Sequence, residues 1–520
     1  MPAVFLQLAA ALMAGAAMIL TFAPFGVWWL QPLLLALLCL LWHHATPRHA
    51  AATGFCFGMG WFCGGVSWVY ISMHDVGGMP MPIAAVATLL FAMVLSGYTA
   101  LAGWLQARLA QAVAAPWLHT LLVIPAALTL CEWLRGWVFT GFPWIAPGYA
   151  HTDGPLAGFA PLAGVHGLTF LAALSGSLMA HGAARAIERK PLVEAILRPL
   201  SALMLLLACG AGLSRIEWTQ STGAPLTVSL LQGNIPQEMK FVEGRFESTL
   251  DTYVRLAERQ PAALIVLPET ALPRMLHTIP RAALERLDTL ASSRGATLLS
   301  GVPRTGSRSG PQTGPQQGGA ARYFNSAITL GREAGQHYDK AHLVPFGEFI
   351  PFGFRWFVDL MQMPLGDFAS GGAAQTPLRI ADQRIAINIC YEDLFGEEII
   401  RQLPEATLLL NLSNVGWFGD SLAPHQHLQA SRMRALETGR PMLRATNTGA
   451  TAVIDARGHV TQALPLFTEG ALAATVQGRS GMTPYAYTGN WLVISLCALA
   501  LGGVFVWALW RARRPARAPA

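Results

Sequence analysis

Long apolar stretches alternate with short polar segments over the first 215 residues of the chain, and one more apolar stretch lies near its C-terminus. A helix needs roughly 20 apolar residues to cross about 30 Å of hydrocarbon. The pattern therefore predicts eight membrane-spanning helices, at positions 4–22, 27–43, 52–72, 82–106, 118–138, 161–183, 195–214 and 490–510.

The section between the seventh and eighth predicted spans has a different pattern, in which short β-branched or apolar runs alternate with segments of helical periodicity. Such alternation is typical of a sheet layered with helices. We therefore predict a transmembrane region at 1–215, a soluble α/β domain at 216–488, and a last span with a basic tail at 489–520. The predicted strands are 226–231, 264–267, 297–302, 325–330, 384–389, 407–412 and 451–454.

The composition agrees with a membrane protein. Hydrophobic residues make up 53% of the chain and charged residues only 12%, whereas soluble domains contain about 25% charged residues. The basic residues do not gather with aromatic residues into a nucleic-acid-binding surface, so we predict no nucleic-acid partner.

The basic residues are concentrated in alternate polar segments of the transmembrane region. If the N-terminus is cytoplasmic, Arg48, Arg108, the basic residues of 185–198 and those of 511–517 all lie in cytoplasmic segments. Cytoplasmic loops of membrane proteins carry such an excess of Lys and Arg. We therefore expect a multi-pass protein of the inner membrane whose soluble domain lies in the periplasm.

A reactive side chain follows the end of a strand at three places: Glu269, Lys340 and Cys390. A helical pattern over 394–403 would place a helix N-terminus near the Cys390 thiol, where it would stabilise a thiolate. A neighbouring carboxylate can accept the thiol proton, and an ammonium can stabilise a tetrahedral oxyanion. These residue types therefore indicate nucleophilic catalysis by cysteine.

Metal and cofactor chemistry has no comparable signal in the sequence. The other six cysteines lie in apolar spans, where cysteine packs as a small hydrophobic residue. Neither a metal-ligand spacing nor a phosphate-binding glycine loop is present. We therefore predict no metal and no cofactor.

The order Glu269, Lys340, Cys390 resembles the nitrilase superfamily, whose members fold as an α-β-β-α sandwich. The segment 345–351, PFGEFIP, is similar to the one that supplies a second glutamate in that superfamily. Further similarity is carried by QGNIPQ at 232–237, NLSN at 411–414, WFG at 417–419, RALE at 434–437 and RATNTG at 444–449.

A nitrilase domain placed before the last of several spans resembles the apolipoprotein N-acyltransferase family, over essentially the whole chain. The resemblance implies that a membrane phospholipid donates an acyl chain, through a thioester, to the α-amino group of the S-diacylglyceryl cysteine of apolipoproteins. It implies Glu269 as base, Lys340 as oxyanion stabiliser and Cys390 as nucleophile. The supporting or substrate-binding residues implied are Glu348, Tyr391, Glu392, Asn414, Trp417 and Phe241, the last standing where the family commonly has Trp.

The apolar run after Glu348, with Trp356 and Phe357, is interpreted as a membrane-dipping lid, with core packing as its alternative. Two other functions remain open. One is a membrane-tethered amidase or hydrolase of the nitrilase type, in which water resolves the intermediate. The other is a transporter with a sensory domain, although the spans contain few ionisable residues beyond Glu132.

Overall fold

The computed structural model describes residues 2–111, 113, 115–242, 244–306, 322–350 and 368–513. These residues form two compact units. The first unit comprises the described residues of Met1–Tyr70, Met81–Ile216 and Thr488–Ala520, and the second comprises those of Ile71–Pro80 and Glu217–Tyr487.

The first unit is helical. Among its described residues, six helical segments are long and apolar enough to cross a membrane: Ala3–Thr21, Met81–Ala110, Pro116–Arg135, Pro155–Ile187, Val193–Leu213 and Trp491–Trp510. The bent pair Pro47–Gly65 and Trp68–Val76 makes a seventh span if it is counted as one. The α-helices have the bounds Pro2–Ala17, Leu30–Trp42, Pro47–Gly65, Trp68–Ile71, Met81–Ala110, Pro116–Leu118, Ile124–Arg135, Ala160–Ile187, Arg198–Leu213 and Trp491–Arg513.

Each of the eight predicted spans coincides with a helix or a helical pair, but the second is shorter than predicted. A turn containing Pro24 and Gly26 delays the start of its helix, which runs only over the 13 residues of Leu30–Trp42. At 1.5 Å per residue, this helix is about 20 Å long. The multi-pass helical architecture is confirmed, with six or seven described helices rather than eight meeting the length requirement.

Small residues let the helices of the first unit approach closely. A Cβ atom added to Gly15 would lie 1.8 Å from the main-chain oxygen of Phe57, and one added to Gly60 would lie 2.0 Å from that of Leu12. Large apolar side chains such as Phe5, with 74% of its surface exposed, point outward instead. Small residues at helix contacts and apolar residues outside are typical of membrane helices.

All seven predicted strands are present in the second unit. The described strands are β1 (Gln220–Ser221), β2 (Leu226–Gln232), β3 (Leu264–Val266), β4 (Thr297–Gly306), β5 (Arg322–Gly331), β6 (His337–Asp339), β7 (Leu378–Ile380), β8 (Gln383–Ile389), β9 (Leu408–Ser413), β10 (Met442–Thr446), β11 (Ala452–Ile454), β12 (Val460–Ala463), β13 (Gly470–Val476) and β14 (Arg479–Ser480). They form two six-stranded sheets, with strand orders β13-β2-β3-β4-β5-β6 and β12-β11-β10-β9-β8-β7, while β1 pairs with β14.

Alternating side chains show how these sheets are layered. Leu264 and Val266 of β3 pack into one buried cluster with Ile387 of β8 and Leu410 of β9, so this cluster lies between the two sheets. Ile265, between them in sequence, packs on the opposite face of its sheet. Successive side chains of a strand point to opposite faces, which explains this division.

Helices cover the outer face of each sheet. The sheet that contains β3 packs against the helices Phe246–Glu258 and Arg281–Ser292. The sheet that contains β8 packs against the helices Ala423–Thr438 and Gly396–Ile399. The result is an α-β-β-α sandwich, as predicted. Between these layers, the ends of β3, β6 and β8 bring polar residues into an otherwise apolar interior.

Candidate active site

The three residues predicted to carry the chemistry all follow strand ends of the sandwich. Glu269 lies three residues beyond β3, Lys340 directly follows β6, and Cys390 directly follows β8. The acid and the lysine therefore come from one sheet and the cysteine from the other. Glu269 and Lys340 are buried, and Cys390 is partly buried.

The turn that carries Glu269 lies directly against β4. A Cβ atom added to Gly301 of that strand would lie 2.6 Å from Cα of Glu269. Thr270, the next residue of the turn, has a φ of 49°, in the left-handed region. The absence of a side chain at Gly301 thus allows the turn to place its carboxylate in the interior.

Two carboxylates and one ammonium form a closely connected group. Nζ of Lys340 lies 2.8 Å from Oε2 of Glu348 and 3.7 Å from Oε1 of Glu269. Nδ2 of Asn325 donates to Oε1 of Glu269 at 2.8 Å and to Oε1 of Glu348 at 2.7 Å. The main-chain N–H of Asn414 donates to Oε2 of Glu269 at 2.9 Å. Each carboxylate is therefore held in one orientation.

These charges decide the protonation of the lysine. Burial alone would lower the pKa of Lys340, but the charges of Glu348 and Glu269 outweigh burial and hold its pKa above the ordinary value. Lys340 is therefore a fixed cation, able to stabilise negative charge that develops beside it.

Cys390 occupies a strained turn. Its φ is 54°, a conformation that non-glycine residues rarely adopt. Its carbonyl oxygen accepts hydrogen bonds from Nδ2 of Asn411 and Nε2 of His427, each at 3.1 Å. Strained backbone of this kind persists where the surroundings over-determine it, and such sites are concentrated where chemistry occurs.

The helix predicted over 394–403 is present only in part. Cys390 begins a 3₁₀ turn, Cys390–Leu394, and only the short helix Gly396–Ile399 and the 3₁₀ turn Ile400–Gln402 follow. Phe395, with φ of −110° and ψ of 81°, interrupts the helical path. A long helix is thus not available to stabilise a thiolate.

The electrostatic surroundings of Cys390 favour the neutral thiol at rest. Burial raises the pKa of the thiol, and the charge of Glu269 raises it further, while Lys340 lowers it. A thiolate in this site must therefore form as its proton moves to a nearby acceptor, rather than persist in the free protein.

Glu392 ties the lysine loop to the cysteine strand. Its Oε1 accepts from the main-chain N–H groups of Ala341 at 2.7 Å and His342 at 3.0 Å, and its Oε2 accepts from that of Ile389 at 2.6 Å. The hydroxyl of Tyr338 donates to the same carboxylate at 3.1 Å. Burial raises the pKa of Glu392 to about 7. Because the bonds reach both sheets, Glu392 fixes the position of Lys340 relative to Cys390.

A second polar group lies behind the cysteine turn. Nε2 of His427 lies 2.7 Å from Oδ1 of Asp393, and NH1 of Arg444 donates to Oδ2 of Asp393 at 2.9 Å. NH2 of Arg444 lies 2.8 Å from Nδ1 of His427. Because Nε2 faces acceptors and Nδ1 faces a donor, His427 is the neutral tautomer with hydrogen on Nε2. This histidine supports the turn and is not placed as a base for Cys390.

The remaining predicted site residues take different positions. Asn414 is buried, and its Nδ2 donates to Oε1 of Gln237 at 2.7 Å, which joins the loops that carry Phe241 and Trp417. Phe241 and Trp417 are 62% and 42% exposed. Tyr391 is buried against Phe395, with ring centroids 5.3 Å apart. The predicted lid residues Trp356 and Phe357 lie outside the described residues.

Sequence reasoning missed two buried residues of this group, Lys240 and Asn325. Lys240 donates from Nζ to the main-chain oxygen of Glu269 at 3.1 Å. One signal could have found it, since Lys240 is one of only three lysines in the chain, beside Lys190 and Lys340. Asn325, at the centre of β5, has no comparable signal in the sequence.

Metal ligation finds no support in the part of the chain that the structure describes. There, no group of three or more His, Cys, Asp or Glu side chains is arranged to hold a metal ion. The groups present instead suit acid–base and nucleophilic chemistry on a carbonyl carbon.

Comparisons with known proteins agree with this geometry. The apolipoprotein N-acyltransferase of Ralstonia nicotianae is 48% identical over 95% of this chain and 91% of its own length. The chain belongs to the apolipoprotein N-acyltransferase family. Proteins of the same name from Nitrosomonas europaea and Methylococcus capsulatus are 45% and 42% identical, over 96% and 95% of both chains.

Two family models match separate parts of the chain. Residues 14–178 match the apolipoprotein N-acyltransferase N-terminal domain, and residues 227–485 match the carbon-nitrogen hydrolase family. The predicted family, the nitrilase-type fold and the assignment as an enzyme are confirmed. With its several apolar helices, the chain is a multi-pass membrane acyltransferase.

Proposed function

We propose that this enzyme moves an acyl chain from a membrane phospholipid, through a thioester on Cys390, to the α-amino group of the S-diacylglyceryl cysteine of apolipoproteins. The observation that carries the proposal is the buried group around Cys390, with Glu269 and Lys340 held at the ends of β3 and β6. The names of the relatives support the same reaction.

In the first step, Glu269 takes the proton of the Cys390 thiol while Sγ attacks the ester carbonyl carbon of the phospholipid. Lys340 stabilises the oxyanion of the tetrahedral intermediate, with a typical contribution of about 3 kcal/mol for one such donor. The carbon–oxygen bond to glycerol then breaks, and the leaving oxygen takes the proton from Glu269. The products are a lysophospholipid and an acyl thioester.

In the second step, the neutral α-amino group of the acceptor attacks the thioester carbonyl carbon. Glu269 takes a proton from the attacking nitrogen, and Lys340 again stabilises the oxyanion. The carbon–sulfur bond breaks, the thiolate recovers a proton from Glu269, and an amide is released. Neither step consumes a cofactor or a metal ion.

Three groups of residues have supporting roles in this proposal. Glu348 holds the Lys340 ammonium in position, and Asn325 holds the Glu269 carboxylate. Glu392 and Tyr391 stabilise the cysteine turn, and Asn414 orients the Glu269 carboxylate. Phe241 and Trp417 present apolar surface to acyl chains.

The proposed reaction takes place on the periplasmic side of the inner membrane. The support for this topology is that Arg residues are concentrated in alternate polar segments, including those around Arg48 and Arg108. Cytoplasmic loops of membrane proteins carry such an excess of basic residues. Reporter fusions after Lys190 should report the cytoplasm, and fusions after Glu405 should report the periplasm. A cytoplasmic signal at Glu405 would reject this topology.

The reaction is tested with the purified full-length enzyme, a phospholipid and a synthetic peptide that begins with S-diacylglyceryl cysteine. Mass spectrometry should show one added acyl chain on the peptide, linked as an amide, and a matching amount of lysophospholipid. A peptide whose α-amino group is acetylated is the control and should gain nothing. Release of free fatty acid without peptide acylation would favour the hydrolase alternative.

A further inference from the structure

Lys240 is a second buried lysine beside Glu269. Only 2% of its surface is exposed, and it directly follows the 3₁₀ turn Gln237–Met239 in the loop after β2. Its Nζ donates to the main-chain oxygen of Glu269 at 3.1 Å. The side chain is thus buried at the turn that carries the proposed base, and it is not part of the Glu269–Lys340–Cys390 set.

The charges of the buried group balance only when Lys240 is included. Glu269 and Glu348 supply two negative charges, and Lys340 supplies one positive charge. A buried charge without a counter-charge is costly. While Glu392 is protonated, below its pKa of about 7, Lys240 brings the count to two of each sign. Proton transfer from Cys390 to Glu269 moves the negative charge to sulfur and leaves this total unchanged.

Other ionisable groups near the cysteine do not supply the missing positive charge. Asp393 and Arg444 form an ion pair at 2.9 Å, so together they are neutral. His427 is the neutral tautomer. Glu392 contributes an additional negative charge only as the pH rises through its pKa of about 7.

Burial and nearby negative charges shift the pKa of Lys240 in opposite directions. Burial lowers the pKa of Lys240 to about 8, while the negative charges of Glu269 and of an ionised Cys390 act in the opposite direction. The attraction is mutual, because a cation that is stabilised by a thiolate also stabilises that thiolate.

We propose that the Lys240 ammonium is the second cation of the active site, which balances the two glutamates and stabilises the Cys390 thiolate as Glu269 takes its proton. Lys240 is a positioning residue, since it contacts Glu269 and acts on sulfur through its charge. The inference rests on the proposed role of Cys390 as nucleophile and adds a residue to that mechanism.

The test is the rate at which iodoacetamide alkylates Cys390 in the full-length detergent-solubilised enzyme, followed on the Cys390 peptide by mass spectrometry. Lys240→Gln removes the charge and keeps a hydrogen-bond donor, whereas Lys240→Met removes both. Both variants should react about tenfold more slowly than wild type at pH 7.5, the change expected for a one-unit rise in the thiol pKa. Lys190→Gln, at an exposed lysine, is the matched control and should react like wild type.

A Lys240→Gln rate within about twofold of wild type, with only Lys240→Met slow, would show that the hydrogen bond and not the charge matters, and would overturn the proposal. If Lys240→Gln does not fold, Lys240→Gln combined with Glu348→Gln restores a balanced charge count. Recovery of folded protein would support the proposal, and a double variant no better than the single one would contradict it. Alkylation needs neither phospholipid nor acceptor, so its outcome is independent of whether acyl transfer is observed.

Discussion

The two units of this enzyme place polar and apolar side chains in opposite ways. The first unit exposes large apolar residues such as Leu205, 66% exposed on the helix Arg198–Leu213. The second unit buries charged residues completely, among them Arg434, Arg440 and Arg444. Exposed apolar surface is favourable in lipid, whereas buried charge is tolerated only where partners satisfy it. Exposure of large apolar side chains therefore identifies the membrane part of the chain, whereas buried charge occurs in both units and has to be judged by its partners.

Each unit also contains a buried Arg–carboxylate pair, and the two pairs differ in what surrounds them. NH2 of Arg135 lies 2.5 Å from Oε2 of Glu132, three residues earlier in the same helix. NH1 of Arg135 donates to the main-chain oxygen of Trp144 at 3.0 Å, so the pair also holds the segment that follows this helix. Arg444 joins residues of three separate elements behind Cys390, including Asp393 and Ser431. The first pair is local and satisfied. The transporter alternative is not favoured, because the relatives of this chain are named acyltransferases. The second pair supports the turn that carries Cys390.

The largest effect is expected from Glu269, the buried carboxylate proposed to accept the thiol proton. Glu269→Gln should slow acyl loading from phospholipid by about 10²–10⁴-fold, because a positioned base contributes that much. The rate of lysophospholipid release by the purified variant measures the loss. Glu285→Gln, at an exposed position of the same unit, should load normally. Equal rates for both variants would show that burial of Glu269 has no catalytic purpose.

The next effect concerns the stability of the second unit. Arg444→Met leaves Asp393 buried without its cation, which should cost about 3–5 kcal/mol of unfolding free energy. Arg457→Met breaks an exposed pair with Glu217 and should cost at most about 1 kcal/mol. Chemical denaturation of the full chain in detergent compares the two. Similar losses would contradict the contrast between buried and exposed charge.

A charge in the first unit should act on membrane insertion. Leu205→Arg places a cation near the middle of a lipid-facing helix and should disfavour its insertion by about 3 kcal/mol. A membrane-insertion assay on 193–213 measures the inserted fraction, with Leu205→Ala as the control for lost volume. Full insertion of the arginine variant would mean that this face of the helix is not in contact with lipid.

The last expected effect is a pH dependence from Glu392. Its pKa in the folded state, about 7, lies above the ordinary value of 4.5. The stabilising contribution of this group is therefore complete below pH 4.5 and is lost as the pH rises through 7, with a slope of up to about 1.4 kcal/mol per pH unit between these values. Glu392→Gln should flatten this slope, and the exposed variant Glu405→Gln should keep it. An unchanged slope in Glu392→Gln would assign the titration to another group.

Local pattern was enough to predict much of this fold. The seven predicted strands carry β-branched or apolar runs, and the spans carry long apolar runs, so both signals lie within a few residues of chain. Seven strands are not predicted: β1, β6, β7, β10, β12, β13 and β14. Some of them, such as β6 and β7, are too short to show a periodicity, whereas β13 has seven residues but consists mainly of small side chains. The helical pattern over 394–403 corresponds to the shorter helical turns Gly396–Ile399 and Ile400–Gln402, because the backbone of Phe395 interrupts the path from the cysteine turn.

The sequence predicts candidate site residues only where the residue type and its position indicate a chemistry. Glu269, Lys340 and Cys390 follow strand ends in the order of a known superfamily, and the structure places all three at the ends of strands of the sandwich. Asn325 and Lys240 contact a residue that lies 56 and 29 positions away in sequence, and no local pattern encodes such contacts.

The central claim is that Cys390 carries the acyl group, and intact-mass analysis of the purified enzyme after exposure to phospholipid tests it most directly. The wild-type chain should gain the mass of one acyl chain, located on the Cys390 peptide and released by hydroxylamine as expected for a thioester. Cys390→Ala should gain nothing, because no other residue of the site can hold a thioester. A hydroxylamine-labile acyl adduct that still accumulates on Cys390→Ala, or wild-type transfer without any adduct on Cys390, would contradict the account.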